Sequence, residues 1–313
     1  MLVYVVKRLL ATVPVMLVVA VVVFMMLRLT TGDPAAIIAG DNATSQDVAA
    51  IRAHLGLDRP LVEQFVIWFG NLLRGDFGES FFFKKQVSSL ILERVEPTLA
   101  LAVCTLILAV SMAVPLGVLA AVKRGTWIDR GLMGFSVLGF SVPVFVIGYA
   151  LIYLFAIRLG WLPVQGYQRI ADGVPGFLER LILPSVTLAI IYVALIARIT
   201  RASVLEVLGA DYVRTARAKG LGDLPVLARH VVRNAAVPIV TVIGLGVALL
   251  IGGVVVTESV YSIPGLGRLT VDAVLARDFP TVQAVILLFS LIYVLINLLV
   301  DLSYVLLDPR IRY

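Results

Sequence analysis

The chain contains the stretch PTLALAVCTLILAVSMAVPLGVLAAV, residues Pro97–Val122, in which no side chain carries a charge. A helix needs about 20 residues to cross the hydrocarbon core of a bilayer. One Arg or Asp at the centre of such a helix costs roughly 2.5–3.5 kcal/mol, so a long uncharged stretch favours burial in lipid. Residues Pro97–Val122 are therefore predicted to form a transmembrane helix.

Five other stretches share this absence of Asp, Glu, Lys and Arg. They are Leu9–Leu27, Gly131–Ile157, Leu181–Ala197, Asn234–Thr257 and Phe279–Val300. The whole chain of 313 residues is 60% hydrophobic and 15% charged, and its mean hydropathy is +1.02. Six uncharged windows and this composition disfavour the alternative, a large soluble core with buried helices. We predict an all-α, polytopic membrane protein with six transmembrane helices.

The six windows divide the chain into three parts. Residues 1–29 hold the N-terminus and the first helix, residues 30–96 form a long outer segment, and residues 97–313 hold the other five helices. Lys7 and Arg8 precede the first window, as in a signal peptide. Because the window is long and no clean cleavage site follows it, we expect a retained anchor.

The 30–96 segment is predicted to be a small helical cap on the outer leaflet. Residues Gln46–Leu55 have a helical pattern, and Leu61–Leu73 shows apolar periodicity after the break at Gly56–Pro60. The aromatic run Phe81–Phe83 precedes the second helix, where aromatic side chains favour the membrane interface. So short a segment argues against an independent catalytic domain.

Five of the six windows carry a proline away from their ends, and a proline in a helix interior removes one backbone hydrogen bond. Membrane helices tolerate such a bend where neighbouring helices satisfy the freed carbonyl. We therefore expect bent helices at Pro14, Pro115, Pro143, Pro184 and Pro238.

The distribution of charge predicts the orientation of the chain. With both ends in the cytoplasm, the inner segments hold 14 basic and 6 acidic residues, net +8, and the outer segments hold 12 and 14, net −2. The positive-inside rule favours this arrangement. Seven basic residues of the 198–233 loop decide it: Arg198, Arg201, Arg214, Arg217, Lys219, Arg229 and Arg233. The net charge of +6 therefore reflects topology and contact with anionic lipid, and gives no case for nucleic acid.

The windows contain no Asp, Glu, Lys, Arg or His, although ion-coupled carriers usually hold such a group near the midplane. The chain also lacks the phosphate-binding pattern GxxxxGK[ST]. His54 and His230 fall on opposite sides of the predicted membrane, and Cys104 has no second cysteine for an internal disulfide. We therefore expect no catalytic residue, no metal site and no cofactor bound by this chain.

The 198–233 loop is longer than a connection requires, and its centre reads DYVRTARAKG, Asp211–Gly220. This stretch is predicted to be a short helix. Asp211 can cap its N-terminus, Arg217 suits the C-terminal end of the helix dipole, and Gly220 can adopt the left-handed stop.

A second helix is predicted to begin at Asp223. The first one lacks a broad apolar stripe, so a position in the bilayer is disfavoured. On physical grounds two interpretations stay open, a solvated basic loop that fixes topology and a docking helix for a cytoplasmic partner.

At this loop the sequence resembles the inner-membrane permease subunits of ABC importers for dipeptides, oligopeptides and nickel. DYVRTARAKG, followed by RNAAVP at Arg233–Pro238, is similar to that family's EAA loop. In the general pattern Glu-Ala-Ala precedes the glycine by six residues. Here Arg214, Thr215 and Ala216 stand at those places, so only the last alanine and Gly220 match.

The resemblance extends over nearly the whole chain. The similar stretches are LGLDRPLVEQFVIWFGNLLRGDFGES (Leu55–Ser80), LGWLPVQGY (Leu159–Tyr167), TESVYSIPGLGRL (Thr257–Leu269) and LLDPRIRY (Leu306–Tyr313). Their order and spacing are more specific than any one of them alone.

The resemblance implies the first, B-type permease of a heterodimeric pair in a bacterial inner membrane, importing di- or oligopeptides. It also implies a second homologous permease, two cytoplasmic ABC ATPases that bind ATP and Mg, and an extracytoplasmic binding protein. The short helix would then be the coupling helix on which an ATPase docks. The residues assigned to coupling are Asp211, Tyr212, Arg214, Thr215, Ala216, Arg217, Ala218, Lys219 and Gly220.

A second group of candidates lies in the outer segment that follows the fifth window. Glu258, Pro264, Gly265 and Gly267 either line a gate or meet the binding protein, or they form a tight structural turn. Three other functions stay open: an importer of nickel or another small solute, a stand-alone channel or secondary carrier, and a membrane anchor that recruits a partner.

Overall fold

A computed structural model of the chain describes residues 2–29, 35–36, 44–54 and 56–307. Within these ranges the regular structure is helical, apart from one isolated antiparallel bridge between Glu79 and Gln86. The predicted all-α class is therefore confirmed.

The helices that position the sites follow one another along the chain. They are α1 (Leu2–Leu29), α2 (Ser45–His54), α3 (Leu61–Leu73), α4 (Val87–Val122), α5 (Trp127–Ser141), α6 (Val144–Leu151), α7 (Val174–Leu208), α8 (Asp211–Ala218), α9 (Asp223–Pro225), α10 (Ala236–Val260), α11 (Leu266–Leu275) and α12 (Phe279–Leu307). Two of them continue in wider, π-helical turns, α6 as Ile152–Arg158 and α9 as Val226–Val232. The predicted helices of the 30–96 segment, α2 and α3, are both present.

Among the residues that the structure describes, five helices are long and apolar enough to cross a membrane: α1, α4, α7, α10 and α12. In the third predicted window, Gly131–Ile157, the bend expected at Pro143 is a full break, because the chain turns by 104° between α5 and α6. Val142 is extended, and Pro143 has no N–H with which to continue the helical ladder. The described chain therefore has six spans when this bent pair counts as one.

The chain divides into two compact units. The larger one comprises residues 95–268 and the end of α12. Its central helix is α7, which packs against α5, α6 and α10. The buried face of α7 carries small and hydroxyl-bearing residues, such as Ser185 and Thr187, among its apolar side chains. Such residues let neighbouring helices approach closely in a membrane, where the hydrophobic effect does not drive association.

Two glycines mark close approaches of neighbouring helices to α7 in the larger unit. A Cβ atom built on Gly117 of α4 would lie 2.6 Å from the Ala197 carbonyl oxygen of α7. One built on Gly139 of α5 would lie 3.0 Å from the Ala194 Cβ, also on α7. Both α4 and α5 therefore rest directly on α7, and a Cβ atom at Gly117 would overlap the α7 backbone.

The smaller unit comprises the described residues up to Arg94 and those of Leu269–Val294. Its core joins α1, α3 and α12 through apolar side chains that include Val23, Trp68 and Leu287. The Phe24 ring meets the Phe65 ring edge to face, with centroids 5.2 Å apart. The 30–96 segment is thus a helical cap that packs on the ends of transmembrane helices.

A buried carboxylate fastens the cap to the start of α12. Asp278 is 1% exposed, and it accepts hydrogen bonds from the Ser80 hydroxyl, the Phe81 N–H and the Thr281 hydroxyl. Because these three donors satisfy a charge that lies out of water, the turn before α4 is held in one position.

Candidate coupling site and the 257–269 turn

The predicted short helix is present as α8, and its N-terminus differs from the expectation. The N-cap residue is Ala210, with φ −73° and ψ 145°, and no side chain caps the helix. Asp211 is the first helical residue, and its exposed carboxylate lies 3.7 Å from the Arg214 guanidinium. Asp211 therefore favours the helix through its charge near the positive end of the dipole, and it does not cap the helix.

The C-terminus of α8 agrees with the sequence. Gly220 has φ +83°, a conformation that L side chains rarely adopt. Its N–H donates to the Arg217 carbonyl at 2.9 Å, and the Leu221 N–H donates to the Ala216 carbonyl at 3.3 Å. These two bonds form a Schellman motif, which confirms Gly220 as the stop.

Two residues of α8 face the rest of the chain. Val213 is 0% exposed and Ala216 is 6% exposed. Both belong to a buried apolar cluster with residues of four other elements: Ala121, Val204, Val226, Val231, Ala235 and Ile239. Ala216 therefore anchors the helix to its own subunit, and its methyl group is not available for a direct contact with a partner.

The other candidate coupling residues share an exposed position. They are Asp211, Tyr212, Arg214, Thr215, Arg217, Ala218, Lys219 and Gly220. This exposed set is here called the coupling face. It carries three cations and one anion, and its Arg217 guanidinium lies 3.5 Å from the exposed Asp223 carboxylate. Exposed ion pairs contribute little stability, so these charges stay free to meet another surface.

The 257–269 turn has a buried carboxylate at its centre. Glu258, predicted in an outer loop, lies in the last turn of α10 and is 0% exposed. It accepts a hydrogen bond from the Thr98 hydroxyl at 2.6 Å and one from the Arg268 N–H at 2.9 Å. The Thr98 oxygen in turn accepts the Leu266 N–H at 2.8 Å. This network joins α4, α10 and α11.

The two glycines of the turn leave room for this network. A Cβ atom on Gly265 would overlap the Glu258 carboxylate, and one on Gly267 would lie 2.5 Å from the Val255 Cα. Pro264 is exposed at the apex of the turn. The geometry therefore favours the tight structural turn among the two interpretations of these residues.

The LGWLPVQGY stretch packs beside this turn. The Gly166 N–H donates to the Tyr261 carbonyl at 3.0 Å, and the Tyr167 hydroxyl donates to the Glu96 carboxylate at 3.2 Å. Burial, followed by the nearby Glu96 charge, raises the pKa of the Tyr167 phenol above its usual value. Tyr167 is therefore a neutral hydrogen-bond donor at physiological pH.

Sequence reasoning missed the ion pair that joins α5 to α7. Asp129 of α5 is 4% exposed and accepts both the Nε–H and an Nη2–H of Arg201 of α7, the latter at 2.8 Å. The Gly125 N–H donates to the same carboxylate at 2.9 Å. The two residues are 72 positions apart in the chain, and no local pattern indicates their pairing.

Comparison with known proteins now identifies the class. Residues 113–313 match the family described as binding-protein-dependent transport system inner membrane component, and residues 1–102 match its N-terminal family model. The chain belongs to this family. It is the membrane-embedded permease subunit of an ABC importer, a component without catalytic activity of its own.

Curated relatives match the chain over almost its full length. A probable peptide ABC transporter permease of Sinorhizobium fredii is 56% identical over 99% of both chains. The glutathione transport system permease of Escherichia coli (strain K12) is 46% identical over 100% of both. A putative peptide transport system permease of Brucella abortus is 45% identical over 98% of both.

A solved structure has the same fold. It is an inward-facing conformation of the MetNI methionine ABC transporter, with a TM-score of 0.58 and 19% identity. The match covers 70% of this chain and 96% of that one. At this identity the likeness concerns the fold alone.

Proposed function

We propose that this chain forms one half of the membrane path of an ATP-driven importer of di- or oligopeptides. The other half is a second, homologous permease, because six spans are too few to enclose a path for a peptide. A binding protein on the outer side delivers the peptide. The relatives named for peptides and for glutathione, itself a tripeptide, support this class of cargo.

The observation that carries the proposal is the arrangement of α8. Its base, Val213 and Ala216, is buried in the subunit, and its coupling face is exposed. A helix held in this way can receive a force from a docked subunit and pass it to the bundle. Two ATPases, which would hold ATP and Mg, supply that force, and the coupling face is where one of them docks.

Reconstitution tests this function. The chain alone in liposomes should transport no trialanine and no Ni²⁺. Together with a partner permease, two ATPases and a binding protein of the same transporter, it should import trialanine only when ATP is supplied. Flux through the chain alone without ATP would contradict the proposal and favour a channel or carrier. ATP-dependent import of Ni²⁺ without import of trialanine would keep the architecture and replace the cargo.

We further propose that both chain ends lie in the cytoplasm of a bacterial inner membrane. The basic 198–233 loop supports this orientation, provided that α5 and α6 together make one span. Two leucines of similar exposure allow a matched test, Leu73 at 73% and Leu224 at 76%. In a Cys104→Ser background, a membrane-impermeant maleimide should label Leu73→Cys in intact spheroplasts and Leu224→Cys only after permeabilisation. The reverse pattern would overturn the orientation.

A further inference from the structure

The Asp129–Arg201 ion pair differs from the ion pairs of the coupling face in its burial. The Asp129 side chain is 6% exposed and the Arg201 side chain 21%, whereas the side chains of the Asp211–Arg214 pair are 97% and 76% exposed. A buried pair has a fixed geometry, and loss of one partner leaves an uncompensated charge. The two nitrogens of one guanidinium meet the two oxygens of one carboxylate, which also fixes the orientation of both side chains.

On one side, this pair holds the beginning of α5. Asp129 lies in the first turn of α5, and its carboxylate also accepts the Gly125 N–H from the preceding loop. Some three helical turns further on, Gly139 of α5 approaches Ala194 of α7. Helix α5 is therefore attached to α7 at two separate levels, and the two helices have little freedom to slide past each other.

On the other side, Arg201 lies about two helical turns before the connection between α7 and α8. Only Gly209 and Ala210 separate these helices, and their N–H groups donate to the Glu206 and Val207 carbonyls at 3.2 and 3.0 Å. Val204, one turn beyond Arg201, belongs to the buried cluster that holds the base of α8. The chain from Arg201 to α8 therefore consists of helix and a two-residue turn whose N–H groups are hydrogen-bonded, without a long loop.

From this arrangement we infer that Asp129 and Arg201 are a positioning pair, which joins α5 to the lever formed by α7 and α8. The inference rests on the proposed function, because it assigns a path to the force that an ATPase would apply at α8. A displacement of α8 moves the end of α7, and the ion pair carries that movement into α5. Helix α5 leads directly to the 104° bend before α6. The pair thus links nucleotide hydrolysis to the bent span.

The inference predicts uncoupling when the pair is broken. In proteoliposomes that hold the complete transporter, Asp129→Asn and Arg201→Gln should each raise the ATP hydrolysed per trialanine imported by about tenfold. If the wild-type transporter imports a different cargo, that cargo replaces trialanine as the probe. Arg198→Gln is the matched control, since Arg198 is an exposed cation one turn earlier on the same helix. It should change the ratio by less than about twofold.

A double variant separates positioning from general stability. Asp129→Asn with Arg201→Gln leaves no unpaired charge, and its two amides can bond to each other. The double variant should return the ATP hydrolysed per trialanine imported to within about threefold of the wild-type value, because the two sites act as a unit. A merely structural role would lower import and hydrolysis together, in proportion to the amount of assembled complex.

Three results would overturn the inference: an unchanged ratio in both single variants, a proportional loss of import and hydrolysis, or a double variant as uncoupled as the single ones. These results differ from a failure of the proposed function. If the proposed function were wrong, the wild-type complex itself would not assemble or would not import trialanine.

Discussion

Reversing the charge of the coupling face should abolish docking of the ATPase. The variant Tyr212→Ala, Arg214→Glu, Arg217→Glu changes three exposed residues and leaves the buried Val213 and Ala216 in place. It removes one aromatic side chain and turns two cations into anions, and aromatic and arginine side chains dominate the energy of many interfaces. We expect affinity for the ATPases to fall about a hundredfold or more, with uptake falling in parallel.

The test measures copurification of the ATPases with the tagged permease, together with uptake. Arg229→Glu with Arg233→Glu is the matched control, since it makes the same change of net charge at two exposed positions of the same loop but outside α8. The control should copurify the ATPases normally. Equal losses in both variants would mean that the loop acts through its overall charge, and normal docking of the α8 variant would place the contact elsewhere.

Removal of the buried carboxylate in the 257–269 turn should have the largest effect on stability. Glu258→Ala leaves the Thr98 hydroxyl and the Arg268 N–H without this acceptor, and it opens a cavity between three helices. An unsatisfied buried polar group costs about 1–3 kcal/mol, and a cavity adds to that. We expect the free energy of unfolding to fall by about 3 kcal/mol or more, and the Tm by about 6–12 °C.

Thermal denaturation of the purified permease in detergent measures this effect. Ser259→Ala is the matched control, because Ser259 is the exposed neighbour whose hydroxyl bonds only within its own helix, to the Val255 carbonyl. It should change stability by less than about 0.5 kcal/mol. A Glu258→Ala protein as stable as the control, yet defective in uptake, would restore the gate interpretation of this residue.

Local chemistry explains where the sequence predicted the structure well. The Gly220 stop follows from a conformation that a residue without Cβ adopts at low cost, and α8 ends there. The start of α8 was harder to predict, because Ala210 takes the N-cap conformation without a capping side chain. The preference of aspartate for N-caps is statistical, and here packing of Val213 and Ala216 sets the register of the helix.

The third window shows a limit of hydropathy. Gly131–Ile157 is uncharged throughout, and such a pattern does not distinguish a straight helix from two helices joined at Pro143. Pro115 and Pro184 lie inside continuous helices, so a proline alone does not decide where a helix breaks. The extended backbone at Val142, before the proline, decides it here.

By itself, the sequence determined that this protein is an all-helical membrane protein and where helix α8 ends. These properties depend on the apolar length of a segment and on the conformational freedom of single residues, which are local. Only the tertiary structure decided that Ala216 points inward, that Glu258 is buried beneath two glycines, and that Asp129 meets Arg201. Those facts depend on which helix faces lie together, and residues far apart in the chain carry no local signal of their contact.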